Sequence, residues 1–279
     1  MERRPAQGAV VQQSLLSRIG FALSLIFLVS PAVLVFLWML SLSLKTEVDN
    51  IAFPPVFIPN PATLENYVAV FEKNNFVLYL LNSVLVTGGA VLFGLLVGVP
   101  AGYGIARSRA AKAAVLILIA RMTPALSYLI PLFLLFQFVG LVGTVMTRCV
   151  ITVPIIVWVM IGYFENIPVE LEDAALVDGA SPWQSFWHIA LPLARPGIVV
   201  GAILAFIFSW NNFIFSVVLA GKNTRTLPSA VYNMLTFEQI AWGPLAAAAL
   251  LVTLPVLLLT VVAQREIVAG LSAGGLKDG

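Results

Sequence analysis

Five acids with no base among them mark the stretch of this chain whose residue types can do chemistry. Residues 164–197 read FENIPVELEDAALVDGASPWQSFWHIALPLARPG; from Phe164 to Trp187 they hold Glu165, Glu170, Glu172, Asp173 and Asp178 and no Lys or Arg. Pro168 stands where a helix would begin and Gly179 where it would end, the usual asymmetry of helix termini. Leu171, Ala174, Ala175 and Asp178 then share one face, because residues three and four apart are neighbours on a helix. A second short helix can start at Pro182 and must stop near Pro192, which has no backbone donor and clashes one turn back. The spacing predicts two short helices joined by a Gly-Ala-Ser turn, set between two membrane spans.

Two partners suit such a piece. An amphipathic segment can rest on lipid, but such segments show Lys and Arg to anionic headgroups. This one shows acids, which that surface repels. A protein groove that accepts a short helix with a small-residue face fits better.

Other reactive chemistry is missing. No Gly-x-x-x-x-Gly-Lys-Ser/Thr phosphate loop, no His-Glu-x-x-His and no Gly-x-Ser-x-Gly elbow occurs. Cys149 is the one cysteine and reads as a packed small side chain; His188 is the one histidine and a poor metal ligand on its own. The expectation is no enzyme, no metal and no cofactor held by this chain.

The elements that must position the acidic elbow are apolar. Of 279 residues 60% are hydrophobic and 10% charged, against about 25% charged in soluble domains. Mean hydropathy is +1.00. The net charge of +2 comes without a basic patch, which argues against nucleic acid. A span needs about 20 apolar residues, and six stretches qualify, at about 19–43, 78–105, 113–139, 145–164, 196–220 and 243–263. The first is longer than a signal-peptide core and reads as a retained anchor. Gly94 and Gly98 make a close-packing pair or are ordinary glycine enrichment of membrane helices.

Loop charge sets the orientation. With the N-terminus inside, the inner segments hold Arg3, Arg4, Arg18, Arg107, Arg109, Lys112, Arg195, Arg265 and Lys277. The outer ones hold Lys45, Lys73, Arg148, Lys222 and Arg225, with Arg148 near a span end. This imbalance puts both termini and the acidic elbow in the cytoplasm. The outer segments 45–77, with one short helix around Glu65–Phe71, and 221–242 are too small for a second domain, so residues 1–279 read as one transmembrane domain.

DAALVDG, nine residues, then IALP resembles the cytoplasmic loop signature of permease subunits of ATP-binding-cassette importers. That signature runs Glu-Ala-Ala, three residues, Gly, nine residues, Ile-x-Leu-Pro. Asp173, Ala174, Ala175, Gly179, Ile189, Leu191 and Pro192 match without a gap; Asp173 replaces Glu and keeps its charge. Further stretches resemble the smaller six-span permease of maltose-type carbohydrate importers. They are RMTPALSYLIPLF at 121–133, SWNNF ending at Phe213, Leu227-Pro228, Leu254-Pro255 and the end from Gln264 to Gly279. Asn212 departs from that pattern, where an acid is common.

The resemblance implies an all-α integral membrane fold, a six-transmembrane-helix type I importer permease with a cytoplasmic coupling helix, in a bacterial inner membrane. It implies a second permease subunit as heterodimer partner, two copies of an ATP-binding subunit that holds ATP and Mg, and an extracytoplasmic sugar-binding protein. Glu170, Leu171, Glu172, Asp173, Ala174, Ala175, Asp178 and Gly179 would meet the ATPase. Lys222, Asn223, Thr224, Arg225 and Thr226 would form a tip that contacts the binding protein; a solvated hairpin is the plainer reading. The polar tail would reach the ATPase dimer interface.

Candidates for the pathway are weaker. Arg121 lies about 12 Å into the third span at 1.5 Å per residue, and either snorkels to the inner interface or faces the bundle interior. The amides of Asn211 and Asn212, with Trp210, need partners, either neighbouring helices or sugar hydroxyls. Tyr128, Gln137 and Trp158 are packing residues or pathway lining. A secondary transporter is the rival reading; it would place acids inside spans, and no Asp or Glu lies in any of the six.

Overall fold

The computed structural model describes residues 15–73, 75–142, 146–221, 224–235 and 240–274. Among them the chain is helical, with no strand longer than the isolated bridge between Leu235 and Ile240. In order, the helices are α1 (Leu15–Ser43), α2 (Glu47–Asn50), α3 (Glu65–Lys73), α4 (Phe76–Ser108), α5 (Ala111–Met122), α6 (Ala125–Phe138) and α7 (Met146–Glu165). After them come α8 (Glu170–Val177), α9 (Pro182–Ser185), a π-helical turn over Phe186–Ala190, α10 (Leu191–Leu193), α11 (Arg195–Trp210), α12 (Phe213–Leu219), α13 (Leu227–Asn233) and α14 (Trp242–Gly274).

Phe76–Ser108, Met146–Glu165 and Trp242–Val261 are each long and apolar enough to cross a bilayer alone. Two expected spans are not straight helices. The third, expected at 113–139, is α5 and α6 meeting at a 98° bend. Pro124 explains it, because it supplies no donor and pushes the residue before it out of the helical region. Thr123 accordingly sits extended at φ −64° and ψ 124°. With 12 and 14 residues, neither piece reaches the roughly 30 Å of hydrocarbon by itself. The fifth, expected at 196–220, breaks at Asn211–Asn212 into α11 and α12. The Asn212 side chain starts α12 afresh by accepting from the Phe215 N–H at 3.0 Å.

α4 and α7 form the spine of the bundle, and their contact is a glycine seam. Gly94, Gly98 and Gly102 on α4 are all buried. A Cβ on Gly98 would stand 2.8 Å from Ile156 Cγ2, and one on Gly102 would stand 2.6 Å from Met160 Cβ and 3.2 Å from the Val157 carbonyl. The close-packing reading of Gly94 and Gly98 is therefore the one the molecule adopts, with a third member. Thr152 of α7 adds a hydrogen bond to the Ala90 carbonyl at 3.1 Å. Gly102→Val should cost about 1–3 kcal/mol, the usual penalty for overpacking. A thermal melt of the detergent-solubilised protein checks it; an unchanged midpoint would mean that the seam can spread.

The start of α4, with α2, α3 and α13, forms one end of the bundle. Glu47 caps α14 there, accepting from the Trp242 and Gly243 N–H groups at 2.9 and 3.2 Å, where the helix dipole favours a carboxylate. The 221–242 segment is more than a hairpin, since it contains α13, with Leu227 fully buried and Ala230 and Ser229 nearly so. The 45–77 segment contains α3, close to its expected place, and α2. At the far end of α4, on the order of 46 Å away at 1.5 Å per residue, the acidic elbow is attached.

Candidate functional site

The elbow is built as its sequence dictates, with two refinements. α8 starts at Glu170, two residues after Pro168, and ends at Val177. Gly179 follows at φ +91°, a left-handed conformation that glycine adopts without penalty. α9 begins with a reciprocal cap: the Gln184 N–H donates to Ser181 Oγ at 3.3 Å, and the Ser181 N–H donates to Gln184 Oε1 at 2.8 Å. The second helix stops near Pro192, as expected, although the proline itself lies within it. A π-helical turn over Phe186–Ala190 shifts the hydrogen-bond register one residue, the Leu191 N–H reaching the Phe186 carbonyl. The helix ends at Leu193, and α11 leaves at 72° to it.

One side chain fixes α8 to the membrane bundle. Glu172, expected to meet the ATPase, instead points inward and is 5% exposed. Arg107, in the last turn of α4, donates from its Nε (2.8 Å) and from a terminal nitrogen (2.5 Å) to Glu172 Oε1. The Tyr103 hydroxyl donates to Oε2 at 2.5 Å. The same guanidinium donates to the Phe164 carbonyl at 2.8 Å and the Ile167 carbonyl at 3.3 Å. One arginine thus ties the end of α4, the end of α7 and the elbow. The physical reason for the inward turn is this cation 65 residues earlier, which a scan of the acidic stretch alone does not meet. Both partners are mostly buried, so solvent screens the pair little.

Aromatic packing completes the joint. Phe186 lies 4.8 Å from the Tyr103 ring and 5.4 Å from Trp183, while Tyr103 and Phe164 meet edge-on at 5.2 Å. Phe164, Phe186, Ala190 and Ala194 are all buried in one core with Ile156 and Met160 of α7. The elbow is therefore continuous with the spine of the bundle.

The remaining expected contact residues face outward. Glu170, Leu171, Asp173, Ala174, Asp178 and Gly179 are exposed and Ala175 half-buried. Leu171 is 47% and Val177 is 87% exposed, which gives α8 an apolar outer side beside its acids. A cleft of about 400 Å³ opens between α8 and α9, lined by Ala175, Asp178, Gly179, Ala180, Gln184 and Ser185 among others. His188 is held beside it, its Nδ1 2.9 Å from the Gln184 carbonyl oxygen.

The other candidates scatter. Arg121 is exposed in the last turn of α5, beside the bend in the third span. Trp210 is a packing residue, not pathway lining: it is 2% exposed, stacks on Phe206 and donates from Nε1 to the Val252 carbonyl at 3.0 Å. Asn211 is exposed at the break, and Asn212 is the half-buried cap of α12. Tyr128 is half-buried against Phe215. Lys222 and Asn223 lie outside the described residues. Thr224 folds back to accept from the Gly221 N–H at 2.8 Å, and Arg225 is exposed. Thr226 cannot be a surface contact, because it is 3% exposed and bonded inside the bundle.

Sequence reasoning missed two cations. Arg107 and Arg148 each count as loop charges when only topology is asked of them. Arg107 anchors the elbow, and Arg148 is a buried residue of the first turn of α7. Their position at the end of an apolar run was the available signal.

Comparison with known proteins gives this geometry its context. Residues 90–270 match the family described as "Binding-protein-dependent transport system inner membrane component". The trehalose transport system permease protein SugB of Mycobacterium tuberculosis is 34% identical over 259 residues, 89% of this chain and 94% of that protein. The diacetylchitobiose uptake system permease protein NgcG of Streptomyces coelicolor is 32% identical over 248 residues, covering 85% and 82%. Among solved structures, a chain of a bacterial ABC transporter involved in the import of the acidic polysaccharide alginate superposes with a TM-score of 0.74 at 21% identity, covering 91% of this chain and 98% of that one. The chain is a multi-pass membrane protein, and it belongs to the family of binding-protein-dependent transport system inner membrane components.

Proposed function

We propose that this chain is one permease subunit of an ATP-driven importer for a sugar or sugar derivative. It forms half of the translocation pathway, the other half coming from a second permease. Both termini and the elbow lie in the cytoplasm, in keeping with the excess of Lys and Arg on that side. Two copies of an ATP-binding subunit hold and hydrolyse ATP, and a cleft on one of them grips the elbow. A sugar-binding protein delivers substrate to the opposite end. The relatives' names, trehalose and diacetylchitobiose permeases, support the substrate class.

The observation that carries this reading is the division of labour within α8. Glu172 is bound inward to Arg107 and Tyr103, while Asp173 and Ala174 beside it face outward. A helix held on one side by its own bundle and open on the other can pass a push from an attached motor to α4 and α7. Closure of the ATPase pair would move the elbow as a lever, and the spans would reorient from inward- to outward-facing. For docking to drive that change, its free energy must differ between the two states.

A secondary transporter also uses broken helices, and spans three and five are broken. No Asp or Glu lies in either break, which leaves an ion-coupling mechanism without its usual ligands. Uptake of a labelled sugar into proteoliposomes holding the full set of subunits separates the two. Uptake should require internal ATP and persist when ion gradients are collapsed. Uptake that follows the gradient and ignores ATP would overturn the reading.

A further inference from the structure

The end of the bundle opposite the elbow contains a buried cation that the lever does not use. Arg148 is 2% exposed, and among the described residues neither of its hydrogen-bond acceptors is a carboxylate. Its guanidinium donates to the Ser209 carbonyl and, at 3.3 Å, to Thr226 Oγ1. A buried charge held only by neutral acceptors is costly to retain in an apolar bundle.

Both acceptors occupy telling positions. Ser209 is in the last turn of α11, just before the break at Asn211–Asn212, and its carbonyl accepts the Asn212 N–H at 3.3 Å as well as the guanidinium. A cation there is favoured by the helix dipole. Thr226 ends the 220–226 segment and stands as the N-cap of α13. Its hydroxyl also meets Ser216 Oγ of α12 at 2.5 Å, and the next residue, Leu227, donates its N–H to Ser83 Oγ of α4 at 2.8 Å. The base of the segment is thus fixed to both sides of the break, while Arg225 at its end is exposed. The cavity beside Arg148 measures about 10 Å³, room for a single water and far too little for a sugar. Within this chain the guanidinium therefore has no room for a sugar beside it and contacts protein groups instead.

We propose that Arg148 is a positioning residue that couples engagement of the sugar-binding protein at the exposed Arg225, next to Thr226, to the break in the fifth span. The inference rests on the orientation and the binding-protein partner proposed above. Displacement of Thr226 pulls on a guanidinium whose other arm holds the end of α11, so the two pieces of the span change their angle together. A lysine keeps the charge but not the planar fork that reaches both acceptors.

The test uses the complete importer in lipid nanodiscs with its ATPase and its sugar-loaded binding protein. Arg148→Lys and Thr226→Val should leave basal ATP hydrolysis unchanged. Stimulation by the binding protein should fall at least about fivefold, the low end of known coupling factors. The double variant should be no worse than the more severe single one, since both cut one link. Wild-type stimulation in both single variants overturns the proposal. So does a parallel fall in basal hydrolysis and subunit assembly, which marks a purely structural role. A cross-link from Arg225→Cys to the binding protein, made without other substitutions, separates the premise from the link. Its formation with normal stimulation in Arg148→Lys refutes the link alone; its absence refutes the docking premise and the proposal with it.

Discussion

Glu172→Ala is expected to lower ATP-driven uptake by at least about tenfold while the ATPase remains bound to the membrane subunits. Removing one partner of a buried ion pair costs about 3–5 kcal/mol. Here that loss falls on a side chain that ties α8 to α4, because Arg107 and Tyr103 both act on the Glu172 carboxylate. Arg107 would keep its bonds to the Phe164 and Ile167 carbonyls, so the end of α7 stays attached while the elbow slackens. The motor would then move a helix that no longer moves the spans. ATP hydrolysis should continue, but without its dependence on the sugar-bound binding protein. Arg107→Ala should act in the same direction, and the double variant should be less damaging than the sum of the two, as for residues in direct contact. Normal uptake in Glu172→Ala would show that the aromatic packing around Phe186 alone transmits the force.

Asp173→Lys tests the other side of the same helix, with a different outcome. Asp173 is exposed and takes no part in the inward anchor. A charge-assisted contact from it to the ATPase is worth about 1.5–3 kcal/mol, or roughly 10–150-fold in affinity. Reversing the charge should exceed that loss, so the ATPase should fail to co-purify and uptake should cease. The two permease subunits should still pair. Gly179→Pro should behave alike, because proline cannot adopt the +91° φ of that turn and the elbow would open. The contrast between the variants is the useful result: loss of transmission with the ATPase attached at Glu172, loss of attachment at Asp173.

Much of this was legible in the sequence, for physical reasons that also mark its limits. The apolar runs announce themselves because a membrane demands them, and Pro168, Gly179 and Pro182 punctuate the elbow because their backbones allow little else. Glu172 was not assignable from the stretch itself. Glu170, Glu172 and Asp173 read alike until α4 brings Arg107 to one of them. Arg148 was counted as a loop charge because a tally for orientation ignores burial. The bend at Thr123–Pro124 was written in a Thr-Pro step that membrane helices often tolerate, as Pro100, Pro154 and Pro255 are tolerated in this chain. The break at Asn211–Asn212 carries neither Gly nor Pro; only the capping habit of Asn212 hints at it.

The account depends above all on the outer side of α8 being held by another protein in the working assembly. Ala174→Cys reports on this directly, since Ala174 is exposed in the isolated chain and the one native cysteine, Cys149, is buried. Labelling of that cysteine by a maleimide should be rapid in the permease pair alone and strongly suppressed once the ATPase subunits are bound. Equal labelling rates with and without the ATPase would contradict the account.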